Sequence, residues 1–103
     1  MDNITKIIEG IKIVHEIKEG DIIIDIRHPN EYENKPLEVG KNIEIINIPF
    51  YVLHSYSKEL LNLNEHHILY CRNSAMSKLQ AAHMIHKGFE KVKILDRKIN
   101  YDN

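Results

Sequence analysis

The chain has a single cysteine, Cys71, among 103 residues. One thiol cannot close an internal disulfide, so it is either a small buried apolar side chain or a reactive group. An excess of charge of one sign is lacking too. Fourteen Lys and Arg stand against 15 Asp and Glu, and no basic block leaves a footprint for phosphate backbones, which predicts no direct nucleic-acid binding by this domain. Unbroken apolar runs reach only a few residues, far short of a membrane span. The opening MDNITKIIEG carries an acidic residue early and lacks a basic region followed by an apolar stretch, so it does not read as a signal peptide. These absences predict a cytoplasmic chain with no membrane contact. Internal repeats, low-complexity tracts and Pro/Gly/Ser-rich linkers are also missing, which predicts one domain over residues 1–103 with one hydrophobic core.

What is present alternates between short β-branched runs and helical patterns. Residues 4–17 place Ile4, Ile7, Ile8, Ile11, Val14 and Ile17 at helical spacing; Gly10 interrupts it, which predicts a helix over the second half, ended by Gly20. Residues 21–26 form a run rich in β-branched residues, too continuous to alternate, which predicts a central parallel strand covered on both faces. Residues 43–48 predict a strand stopped by Pro49, residues 51–63 a helix, and residues 67–70 a third strand. A loop follows over residues 71–76. Residues 77–87 then predict a helix ended by Gly88, and residues 92–95 a last strand. The alternation predicts an α/β fold, a small parallel sheet with helices on both faces, whose reactive site lies at the carboxyl ends of the strands.

Cys71 falls at that place. Ser77 and Gln80 have the spacing of a capping box, which predicts that the helix begins at Ser77. The amides of Arg72, Asn73, Ser74, Ala75 and Met76, with the positive end of the helix dipole, then converge on the sulfur and favour a thiolate. A structural cysteine belongs within a strand or on the inner face of a helix, so the loop position predicts a nucleophile.

The order and spacing of Asp25-Ile-Arg27, Glu31-Tyr32 and Cys71 opening a six-residue loop before Ser77 resemble the rhodanese-like fold. Lys35-Pro-Leu37, Ile48-Pro-Phe-Tyr51, Tyr70-Cys71, Met76-Ser77, Leu79-Gln-Ala81, Gly88-Phe89 and Val92-Lys93 extend the likeness to the C-terminal rhodanese domains of the tRNA 4-thiouridine and thiamine-thiazole sulfurtransferases, over residues 21–95. The resemblance implies a relay. A cysteine desulfurase hands sulfur to Cys71 as a persulfide. The terminal sulfur then passes to a uridine activated by an adenylating tRNA-thiolation domain, or to a sulfur-carrier protein for thiazole synthesis. It also implies that the second cysteine, with which that family's catalytic cysteine pairs during turnover, has no counterpart here.

Two departures from the family stand out. Ser74 replaces a loop glycine, and positive φ there costs a non-glycine residue about 1 kcal/mol or more, which predicts a shifted or mobile loop. Met76 stands where thiosulfate-using rhodaneses carry a cation, which predicts weak activity with thiosulfate. Arg72, the one cation within the loop, is a solvated arginine or a holder of an anionic sulfur donor. Asp25 and Arg27 are expected as a supporting pair that braces the strand end. His83 and His86, three apart on a helix, lack further ligands in suitable context, so neither a metal nor an organic cofactor is expected. His66 and His67 read as turn residues, and Phe50 and Tyr51 as packing near the site. Two rival functions follow from the same residues. A cysteine phosphatase of related fold carries an arginine six positions after its cysteine, to clamp phosphate bidentately, but here that position is Ser77. The other rival is a non-catalytic rhodanese-like binding module.

Overall fold

The computed structural model describes residues 3–99; residues 1–2 and 100–103 of the expected 1–103 domain lie outside it. Along the chain run α1 (Asn3–Gly10), β1 (Ile13–Val14), β2 (Ile22–Asp25), α2 (Pro29–Asn34), β3 (Glu44–Asn47), α3 (Phe50–Leu60), β4 (His66–Tyr70), α4 (Ser74–His86) and β5 (Lys91–Leu95). The five strands form one sheet in the order β1-β5-β4-β2-β3, with every neighbouring pair parallel. β4, not the expected residues 21–26, is the central strand, with four of its five residues buried; β2 lies beside it, between β4 and β3.

The N-terminal segment corrects the reading of residues 4–17. The helix occupies the first half, Asn3–Gly10, and packs on α4, while Ile13 and Val14 form the edge strand paired with Ile94 and Leu95. Gly10 ends the helix. The β-branched pair after it gains more by laddering onto β5 than by continuing a helix whose next turn has no surface to bury against. Gly20 ends no helix; it sits at φ +92 in the turn before β2, its N–H donating to the carbonyl of Asn42.

Two apolar clusters flank the sheet. Ile24, Ile26, Leu69, Val92 and Ile94 pack with Leu53 of α3 and with Ala81 and Met84 of α4. On the other face Ile23, Ile68, Tyr70 and Leu95 pack with Leu37, which follows α2, and with the partly buried Ile17, Val39 and Ile99. Alternation along β2 therefore sends Ile24 and Ile26 to one face, and Ile23, with Asp25 and Arg27 in phase, to the other. The fold brings the carboxyl ends of β2 and β4 side by side, with Asp25 in register with Tyr70.

Candidate active site

Cys71 directly follows β4, half-buried and unbonded to any other cysteine. Its side chain packs against the cluster of α3 and α4 and opens into a cleft of about 650 Å³. Ile26, Phe50 and Met76 supply the apolar wall of that cleft; Arg27, His28, Glu31 and Arg72 supply its charge and polarity. Tyr51, expected beside the site, is half exposed and meets Phe50 edge to face at 5.3 Å.

The start of α4 corrects the expected loop. The helix begins at Ser74, capped by Asn73, whose side-chain oxygen accepts from the Ala75 N–H at 2.9 Å. The amides of Met76 and Ser77 donate to the Asn73 carbonyl at 3.1 and 3.3 Å. Asn caps a helix as well as Ser does, so Asn73, four residues ahead of Ser77, takes the terminus first. Ser77 is fully buried, and its hydroxyl has no hydrogen-bond partner, as does Oε1 of Gln80. Gln80 turns its amide nitrogen toward the Met76 sulfur at 3.8 Å, so no capping box exists. Ser74 is an ordinary helical residue. Among the described residues the one non-glycine with positive φ is Asn42, and the strain expected at Ser74 does not arise.

The shorter loop narrows the amide cradle. Arg72 and Asn73 direct backbone N–H groups at the Cys71 sulfur, which lowers its pKa, whereas the amides of Ala75 and Met76 are already used. Desolvation outweighs this effect: burial, with the negative charges of Glu31 and Asp25, pushes the thiol above its ordinary range. The thiolate expected from the sequence is thus opposed at rest.

Beneath the site, Arg27 grips Asp25 through Nε at 2.9 and 3.2 Å and through a terminal nitrogen at 2.6 Å, while its backbone N–H donates to the same carboxylate at 3.1 Å. Both residues are buried, and the guanidinium lies 5.2 Å from the centroid of the Tyr70 ring. Asn47, which sequence reasoning passed over, donates to the carbonyls of Asp25 and Arg27 at 2.9 and 3.1 Å and ties β3 to this turn. A polar residue closing the otherwise apolar Ile45-Ile46 run was the signal. His66 and His67, read as turn residues, both fall in β4, although the strand expected over residues 67–70 already held His67. His67 is buried, with neither ring nitrogen hydrogen-bonded and its ring edge-on to Phe89 at 5.6 Å. Burial holds its pKa below the usual histidine range. His83 stands edge to face with His54 at 4.7 Å.

The family model for the rhodanese-like domain matches residues 12–100. The chain belongs to the rhodanese-like domain family. Among curated relatives, this rhodanese-like domain is 40% identical over 87 residues to the tRNA sulfurtransferase of Colwellia psychrerythraea, covering 84% of the chain and 18% of that protein. It is 47% identical over 78 residues to the tRNA sulfurtransferase of Histophilus somni, covering 75% and 16%. The domain thus spans less than a fifth of the length of these relatives. Solved structures share the fold: a rhodanese-like domain of an Anabaena protein at TM-score 0.64 and 17% identity, covering 75% of this chain and 83% of that one. The homodimeric polysulfide-sulfur transferase of Wolinella succinogenes matches at TM-score 0.63 and 16% identity, covering 91% and 74%. No helix among the described residues of the rhodanese-like domain is long and apolar enough to cross a membrane.

Proposed function

We propose that this domain is a sulfurtransferase module in which Cys71 is the nucleophile and carries sulfur as a persulfide. The observation that carries the reading is the placement of the chain's one thiol. It stands at the carboxyl end of the central parallel strand, faces an open cleft, and receives the amides of Arg72 and Asn73. Ligands of parallel α/β sheets gather at that edge, and backbone amides stabilise an anionic sulfur without a counter-ion. Relatives named tRNA sulfurtransferase support sulfur transfer toward tRNA; the proposed donor is a cysteine desulfurase. The proposed acceptor is a tRNA uridine activated by an adenylating domain; a sulfur-carrier protein serving thiazole synthesis is the other acceptor considered. Asp25 and Arg27 support the strand end rather than react, and a cytoplasmic setting suits a thiol that must stay reduced. Position Ser77 holds a buried hydroxyl where a phosphatase needs a guanidinium, so phosphoryl transfer lacks its clamp.

Intact-protein mass spectrometry after incubation with a cysteine desulfurase and cysteine tests this reading. The expected result is a reducible gain of one sulfur atom on the wild type and none on Cys71→Ser. No gain on either protein, with Cys71 inert to alkylation in the folded state, favours a binding module instead.

A further inference from the structure

Loading Cys71 with sulfur requires its thiol to lose a proton, and the site resists that loss. Glu31 shares the cleft, in the first turn of α2. The residue is half-buried, and its Oε2 is closed to solvent with no hydrogen-bond partner. Leaving such an oxygen unsatisfied is costly, and an orphan of this kind in a reactive cleft calls for a functional explanation. Its charge also reaches the sulfur, where it opposes the thiolate. A carboxylate here opposes the nucleophile's charge, and from the same cleft its unsatisfied oxygen is available to a proton once a donor fills the site.

The other polar groups around the sulfur are otherwise engaged. Asp25 is spent on Arg27, and Nδ1 of His28 accepts from the Asn30 N–H at 3.2 Å. Arg72 is a permanent cation. We propose that Glu31 accepts the Cys71 proton as the thiol attacks a persulfide donor, and delivers it to the departing thiolate. This rests on the reading of Cys71 as a sulfur carrier. With a donor R–S–SH, the Cys71 sulfur bonds to the terminal sulfur, which keeps its hydrogen, and the S–S bond of the donor breaks. The electron pair leaves on RS⁻, which takes the proton from Glu31. The products are Cys71–S–SH and RSH, and no external oxidant or reductant enters.

The test compares wild type, Glu31→Gln and Glu31→Asp in two assays, with thermal unfolding to confirm that each is folded. The first is the pH dependence of Cys71 alkylation by iodoacetamide. The second is the rate of sulfur uptake from a small organic persulfide, read by mass spectrometry. Removing the carboxylate charge lowers the pH at which Cys71 alkylates, yet uptake slows by roughly tenfold or more, within the range of general acid–base contributions, and Glu31→Asp recovers part of the rate. A merely electrostatic or structural Glu31 cannot produce that split. Uptake by Glu31→Gln as fast as wild type overturns the proton-transfer role and leaves the carrier reading standing. A wild type that takes up no sulfur sinks both.

Discussion

Asp25 and Arg27 lie two positions apart on the same side of β2, and their side chains and backbone close on each other out of contact with water. The pair is worth little against an apolar replacement of both, but removing one partner strands the other charge in the interior. Asp25→Asn is expected to cost about 3–5 kcal/mol in denaturant unfolding, far more than its conservative shape suggests. A loss below about 1 kcal/mol, typical of exposed pairs, would show that the pair is solvated in solution. These two residues and Cys71 could be read from the sequence, because charged groups ending a β-branched run and a thiol opening a loop are local signals. Asn47 was passed over, and the burial of His67 was not foreseen. Each owes its role to a neighbour distant in sequence: Asn47 to the turn after β2, His67 to Phe89.

α4 shows how a helix terminus is decided. The sequence reading took Ser77 as the cap, for the glutamine three residues on, and gave Asn73, four residues earlier, only a place in the loop. The structure chose the earlier, because each residue added to the helix makes a further hydrogen bond once a cap is found. Asn73→Ala is expected to lose about 1 kcal/mol of stability and to disturb Cys71 alkylation, since the cap fixes the amides beside the sulfur. Ser77→Ala is expected to be neutral or slightly stabilising, because the hydroxyl it removes is buried and unpaired. Chemical denaturation of the two variants side by side checks both, and the opposite ranking would restore the helix start at Ser77. Most strand positions were legible as apolar runs bounded by turn residues. The fate of residues 4–17 was not, because an edge strand of two residues exists only through its partner.

For the molecule as a whole, the buried His67 ties stability to pH. Its folded pKa lies below the unfolded value near 6.5, so the unfolded chain binds the proton more readily. The stability it confers is fully present above about pH 6.5 and is lost as pH falls toward the folded value. Urea unfolding at a series of pH values is expected to show stability falling as pH drops below about 6.5, with a shallower fall in His67→Leu. Equal slopes would mean that His67 reaches a partner in solution. The parallel architecture itself was legible from the alternation of elements, whereas the strand order was not, since periodicity carries no record of which strands meet. That order has a consequence in time. β1, near the start of the described chain, completes the sheet only by laddering onto β5, near its end. During synthesis β1 must therefore wait, unpaired, until β5 has left the ribosome. The sheet closes late, although the strand ends that flank Cys71, those of β2 and β4, precede β5 and can meet before it.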